Sequence, residues 1–129
     1  MSEIEPTMTD DDVMDFVADG FVVMNQVVNE AFNRRCADAN PGRADELVGS
    51  PEFAREVLLQ SKVAGVMRSL LGADFLVPTG GHHHLLEEPF EGQEWHSDGI
   101  SGFGYEVQEL QCYYYPLDVN LEDGPTIVL

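Results

Sequence analysis

Apolar side chains recur at helical intervals through the first half of the chain. Between positions 63 and 71 they occupy i, i+3, i+4, i+7 and i+8, and the pattern ends before Gly72, which predicts an amphipathic helix. Thr9 is followed three residues later by Asp12, the spacing of a reciprocal N-terminal cap, and Gly20 closes the same pattern. The first half is therefore predicted to be a series of helices with defined ends.

Two further helix starts lie between these two helices. Asn29 is a good N-cap for a helix that closes at residues 40–42 (NPG), and Ser50 precedes a proline, Pro51, at a first helical position. The apolar run at residues 21–24 is short and of the type found in strands. This order predicts at least four helices and one short strand before residue 73.

The second half of the chain has a different pattern. Short runs rich in β-branched and aromatic residues are separated by glycine, proline and Asp-Gly turn signals; the runs are residues 75–77, 82–86, 93–97, 110–115 and 126–129. Helices followed by several short strands indicate an α+β fold with an antiparallel sheet or barrel. We expect one domain over residues 1–129, mainly helical over 1–72 and mainly β over 73–129. Because the last run is apolar and would leave a sheet edge open, the sequence is expected to be truncated within the fold.

Composition narrows the classes of function. The formal net charge is −18, from 24 acidic and 6 basic residues, which argues against binding to nucleic acid or to anionic membranes. The acidic start lacks the apolar run of a signal peptide, and no stretch is long enough to span a bilayer. Cys36 and Cys112 share no metal-binding spacing and are expected to be free, buried thiols in a reducing compartment. The predicted location is the cytoplasm.

The strongest chemical signal is a histidine two residues before an aspartate, His96 and Asp98. In an extended segment, residues two apart face the same side, so the imidazole and the carboxylate would converge on one point. They would supply two of the three ligands of a 2-His-1-carboxylate site for Fe(II). A spacing this short also arises by chance, so an accidental pair stays open as an alternative. No histidine follows His96, and the third ligand is missing from the chain.

Two other clusters have structural as well as functional interpretations. On a strand, His82 and His84 would share one face of the HHH run, and hydrogen-bonded strand histidines are the ordinary explanation for His82 and His83. In residues 113–115 (YYY), Tyr114 would share an inner face with the residues two and four positions before it. Core packing with bonded hydroxyl groups is the ordinary explanation for these tyrosines.

Five segments, in order, resemble the N-terminal half of the phytanoyl-CoA dioxygenase family of Fe(II)- and 2-oxoglutarate-dependent oxygenases. They are residues 15–23 (DFVADGFVV), 66–75 (VMRSLLGADF), 95–99 (WHSDG), 110–118 (LQCYYYPLD) and 123–129 (DGPTIVL). Together they are distributed over residues 15–129. The WHSDG segment corresponds to the metal motif of the family, and the last segment corresponds to the approach to its Pro-Gly-Ser-His turn.

The resemblance implies a fold, cofactors and site residues. The fold would be N-terminal helices followed by an incomplete double-stranded β-helix, or jelly roll. The cofactors would be Fe(II) and the cosubstrate 2-oxoglutarate, and the partners would be O₂ and a small organic substrate that is hydroxylated. His96 and Asp98 would be metal ligands, while His84 and Tyr114 would lie near the cosubstrate.

The chain departs from the family at its end. The distal histidine ligand and the basic residue that pairs with 2-oxoglutarate lie further along in the family, and the five arginines here all lie in the helical half. We therefore assign no catalytic residue and expect the 129-residue chain to be inactive alone. The alternative function is a non-catalytic acidic binding domain in which the His-x-Asp pair is vestigial or accidental. Substrate and oligomeric state are not encoded in any motif.

Overall fold

The computed structural model of the chain describes residues 3–39, 41–77, 80–81, 83, 92–96, 99 and 104–128. Helices account for the regular structure in these residues. They are α1 (Asp10–Asp19), α2 (Glu30–Ala37), α3 (Pro41–Val48), α4 (Pro51–Phe53), which continues as a π-helical stretch (Ala54–Leu58), α5 (Ser61–Leu71) and a 3₁₀ turn (Leu121–Asp123).

The predicted ends of α1 are confirmed. The side chain of Thr9 accepts a hydrogen bond from the backbone N–H of Asp12, and the Asp12 carboxylate accepts from the backbone N–H of Thr9 at 2.8 Å. This reciprocal cap satisfies two N–H groups that a helix start leaves unpaired. Gly20 ends the helix with φ of +81°, a conformation that glycine adopts at little cost.

The starts of α2 and α4 and the end of α5 also agree with the sequence predictions. Asn29 accepts from the N–H of Ala31, Ser50 accepts from the N–H of Phe53, and α5 ends before Gly72. The predicted closure of α2 at residues 40–42 is wrong, because α2 ends at Ala37 and Pro41 is the first residue of α3. Proline is tolerated in a first helical turn, where its missing N–H would be unpaired in any case.

The buried core lies among α2, α4 and the π-helical stretch. Phe32, Phe53 and Val57 are its buried members, with Val57 only 2% exposed. The rings of Phe32 and Phe53 are tilted with centroids 6.2 Å apart, within the usual range for a favourable aromatic pair. Half-buried residues from several segments pack around them: Val28, Cys36, Leu47, Val48, Leu58 and Tyr114.

A separate set of contacts attaches residues 3–8 to α5. The hydroxyl of Ser69 accepts from the backbone N–H groups of Thr7 and Met8 at 3.0 and 3.1 Å, and itself donates to the carbonyl of Gly65. Gly65 has no room for a Cβ, which would lie 2.6 Å from the hydroxyl oxygen of Thr7. The side chain of Arg68 donates to the carbonyl of Ile4. This attachment places the start of α1 beside α5.

The predicted α+β fold with a jelly-roll portion is wrong: the residues that the structure describes contain no strand. This correction covers the runs at residues 21–24, 75–77 and 110–115, and the described parts of 93–97 and 126–129. The run at residues 82–86 lies outside the described residues except for His83. A strand requires a second backbone to complete its hydrogen bonds, and periodicity within one segment does not reveal whether that partner exists.

Side chains hold part of the second half in place of a backbone ladder. The hydroxyl groups of Tyr115 and Thr126 are 2.6 Å apart, and they bracket the 3₁₀ turn. Asn120 and Asp123 cap that turn reciprocally, and Gly124 follows it with φ of +71°. The predicted Asp-Gly turn is therefore confirmed, although the strands expected on either side of it are absent from the described residues.

Candidate functional site

His96 is exposed, and its ring contacts the backbone two residues before it. The Nδ1 atom lies 2.7 Å from the carbonyl oxygen of Glu94. Because a carbonyl oxygen can only accept, Nδ1 is the protonated nitrogen of this contact. In the neutral ring, the lone pair is then on Nε2. A backbone carbonyl in this role is a common way of fixing the tautomer of a histidine that binds a metal.

Asp98 lies outside the described residues, as do His84 and His82. The structure therefore gives no distance between His96 and Asp98, and their convergence stays a prediction. Within the described residues, no group of three histidine, cysteine, aspartate or glutamate side chains is arranged to hold a metal ion. Of the predicted metal pair the structure thus describes only His96, and its role as a ligand stays a prediction.

A second carboxylate lies beside this segment. Gly99 has φ of +91°, and a Cβ built on it would be 3.0 Å from Oε2 of Glu109. The Glu109 side chain therefore approaches the backbone one residue after Asp98. The sequence did not single out Glu109, because its position depends on how residues 104–110 return toward Gly99. In the sequence, only its position just before the apolar run at 110–115 could have drawn attention to Glu109.

Tyr114 contacts the helical core. Its hydroxyl donates to Oδ1 of Asn33 at 2.6 Å, and its ring meets that of Phe53 edge-to-face at 5.4 Å. The amide nitrogen of Asn33 is 3.5 Å from the carbonyl of Val28, which orients the amide oxygen toward the tyrosine. The predicted inward direction of Tyr114 is confirmed, whereas Cys112 two residues earlier is exposed. The role of Tyr114 near a cosubstrate stays a prediction.

The polar groups around Tyr114 are uncharged at neutral pH. Burial, and then the neighbouring Cys36 side chain, raise the pKa of the Tyr114 phenol. Burial also raises the pKa of the Cys36 thiol, a change that the hydrogen bond with Tyr114 and the charge of Arg35 only partly oppose. A protonated thiol is a poor nucleophile. This cluster is therefore suited to packing and hydrogen bonding rather than to nucleophilic or base chemistry.

The arginines lie in the helical half, and four of them pair with carboxylates. Arg35 pairs with Glu52 at 2.8 Å and lies over the ring of Phe32, with its guanidinium carbon 5.1 Å from the ring centroid. The hydrogen bond to Arg35 lowers the pKa of Glu52, and the same bond raises the pKa of Arg35. Three further arginines form ion pairs: Arg34 with Glu30, Arg55 with Glu56, and Arg68 with Glu3. These pairs direct the positive groups toward the chain's own acids.

Comparisons with protein-family models, with curated proteins and with solved structures gave no match for this chain. The described helices include none that is both long enough and apolar enough to cross a membrane. Functional inference for this chain therefore depends on its own residues and on the order of its motifs.

Proposed function

We propose that this chain forms the N-terminal part of an Fe(II)- and 2-oxoglutarate-dependent dioxygenase that hydroxylates a small organic substrate. In this proposal His96 and Asp98 are two of the iron ligands. The observation that carries it is the contact of His96 Nδ1 with the carbonyl of Glu94, which puts the lone pair of the neutral ring on Nε2.

The order of the sequence motifs supports the proposal. Two of the five segments that resemble the oxygenase family, residues 15–23 and 66–75, span helix ends: α1 ends before Gly20 and α5 ends before Gly72. The WHSDG segment comes after both, as it does in the family. A glycine, Gly99, follows the predicted ligand Asp98 and adopts a positive φ, so the chain turns directly after the metal motif.

The donor set fits iron in type. Imidazole nitrogen and carboxylate oxygen are the ligands of non-heme Fe(II) sites that keep coordination positions open. Bound Fe(II) would supply the activation of O₂ coupled to decarboxylation of 2-oxoglutarate. The residues of this chain would hold the metal through one imidazole and one carboxylate. With two protein ligands, weak metal binding and no turnover by the 129-residue chain are expected.

Anaerobic calorimetry with Fe(II) tests the ligand assignment. We expect His96→Ala to weaken Fe(II) binding at least about tenfold. Even mutation of a residue that only hydrogen-bonds to a metal ligand lowers metal affinity about 10- to 100-fold. His83→Ala is the matched control, because it removes an imidazole from the neighbouring HHH run and should leave the affinity unchanged. Equal affinities of the wild-type chain and the His96→Ala variant would mean that the His-x-Asp spacing is accidental.

An assay of succinate formation separates binding from turnover. The chain with Fe(II), 2-oxoglutarate and O₂ should produce no succinate above the metal-only control, because the third protein ligand and a basic partner for 2-oxoglutarate are lacking. Stoichiometric succinate formation by this chain would contradict the prediction that it is inactive alone. Absence of Fe(II) binding together with absence of succinate formation would instead favour the alternative of a non-catalytic acidic binding domain.

A further inference from the structure

Helix α1 leaves part of its apolar surface uncovered. None of its residues is buried, and Met14 and Val17 are each 65% exposed. The residues that follow the helix continue this surface, with Phe21 48% and Val23 70% exposed. An amphipathic helix ordinarily buries its apolar side, and a contiguous exposed apolar surface is a common mark of a binding site.

Part of this surface forms a groove between α1 and α5. The groove has a volume of about 300 Å³. Its apolar lining comes from α1 (Phe16), from the residues after it (Phe21 and Val22) and from α5 (Val66). Two carboxylates of α1, Asp12 and Asp15, border it. The contacts of Ser69 with Thr7 and Met8 hold one wall in place. The groove thus combines an apolar floor with an acidic border on attached elements.

Among the described residues, no basic side chain pairs with the aspartates at this groove. Helix α1 contains five aspartates and no lysine or arginine. Within the described residues, none of these aspartates forms an ion pair, whereas Arg34, Arg35, Arg55 and Arg68 pair with glutamates elsewhere. A concentrated field of one sign favours a partner of the opposite sign and accelerates its association.

Charge also distinguishes among the possible occupants. A second copy of this chain would bring another −18 to the same surface. Residues 84–91 of the chain itself are apolar but contain three glutamates and no lysine or arginine. A segment with lysines or arginines beside apolar side chains complements both the acidic border and the apolar floor of the groove. We propose that the groove binds a basic amphipathic helical segment of a partner protein, in the manner of a helix in an apolar groove.

This site is independent of the proposed iron site. None of its residues belongs to the WHSDG segment, and neither α1 nor α5 carries His96. Substitutions in the groove should therefore leave Fe(II) affinity unchanged, and His96→Ala should leave peptide binding unchanged. Failure of one proposal would leave the other standing.

Fluorescence anisotropy with a labelled peptide tests the proposal. The probe is a helical peptide with leucine at i, i+3, i+4 and i+7 and lysine at the remaining positions, and the control peptide has glutamate in place of lysine. We expect saturable binding of the lysine peptide, weakening as salt rises, and no binding of the glutamate peptide. Absence of saturable binding by the lysine peptide would overturn the proposal.

Matched variants locate the binding surface. Asp15→Lys at the groove and Glu46→Lys on α3 change the net charge equally, and both residues are exposed. Binding at the groove predicts that Asp15→Lys weakens affinity about tenfold more than Glu46→Lys does. Equal effects would mean that only the overall charge attracts the peptide, which would overturn the site. Asp15→Asn gives the same comparison with a smaller change, should the lysine disturb α1.

The floor of the groove and self-association are tested separately. Val22→Ser should weaken peptide binding, whereas Leu59→Ser, at a similarly exposed leucine outside the groove, should not. Sedimentation velocity gives the state of the free chain. Self-association that Val22→Ser abolishes would show that a second copy occupies the groove and would overturn the assignment of a basic partner.

Discussion

The helical region around Phe32 and the region at residues 104–128 both contain many apolar side chains, but only the first packs them together. Phe32 is 3% exposed, whereas Leu121 is 90% exposed and Tyr105 is fully exposed. The first region has regular helices, and the second has a single 3₁₀ turn. Apolar content alone therefore does not separate a packed region from an open one.

The difference follows from where backbone hydrogen bonds are made. A helix pairs its N–H and C=O groups within one segment, so a capped segment such as α1 needs no second segment to complete its backbone hydrogen bonds. A strand completes its bonds only against another strand. Residues 110–115 have strand-type composition but no backbone partner among the described residues. Tyr114 of this run instead packs against the helical core.

The largest loss of stability is expected for a substitution of Phe53, in the packed region. Phe53→Ala removes a ring that contacts both Phe32 and Tyr114, and truncation of a buried phenylalanine costs about 3–5 kcal/mol of unfolding free energy. Chemical denaturation followed by circular dichroism measures this change. Tyr105→Ala is the control in the open region, and it should change stability by less than about 0.5 kcal/mol. Similar losses in the two variants would contradict the division between packed and open regions.

A smaller effect is expected where the two regions meet. Tyr114→Phe removes the hydroxyl that donates to Asn33 at 2.6 Å, which should cost about 1 kcal/mol of unfolding free energy. Tyr113→Phe removes a hydroxyl that bonds to the exposed Gln111, and it should be close to neutral. A double-mutant cycle with Asn33→Ala isolates the coupling between Tyr114 and Asn33. Zero coupling energy would show that the hydroxyl does not anchor the second region.

The smallest effect is a change in the titration of Asp12. The hydrogen bond from the Thr9 side chain, and then that from the Thr9 backbone, lower the pKa of Asp12 below its ordinary 3.8. Because the pKa is lower in the folded chain, the stabilisation is complete above the unfolded value and is lost as pH falls through the folded one.

Thr9→Ala should raise the pKa of Asp12, since the Thr9 hydroxyl is the larger cause. NMR titration of the Asp12 carboxyl in the wild-type chain and in the variant measures this shift. An unchanged pKa would show that the cap at the start of α1 does not form in solution, and the comparison would then have to exclude α1 from the well-formed region.

The sequence predictions succeeded where the signal was local. Thr9 with Asp12, Asn29, Ser50 and the stripe ending before Gly72 each depend on residues within one or two turns, and the structure confirms them. The β predictions were wrong for the described residues, because ladder formation depends on distant segments. The missed helix α3 shows a different limit, since Pro-Gly was interpreted only as an end although proline also starts helices.

The candidate site shows the same contrast between local and long-range contacts. The ring contact of His96 is made with Glu94, two residues away, and depends on one short segment. The approach of Glu109 to Gly99 is made across ten residues and had no local signal. The convergence of His96 and Asp98, the assignment of His84 and the cosubstrate role of Tyr114 stay predictions from sequence.

The attachment of residues 7 and 8 to Ser69 has a consequence for the order of events during synthesis. The partners are 62 residues apart, so a ribosome working at 5–20 residues per second adds the intervening chain in about 3–12 seconds. Throughout that interval α1 has been made but its anchor on α5 has not. A helix of ten residues is only marginally stable alone, so α1 depends on the Thr9 cap until α5 has been made. In that interval Phe16, which is half-buried in the finished fold, is accessible to a chaperone.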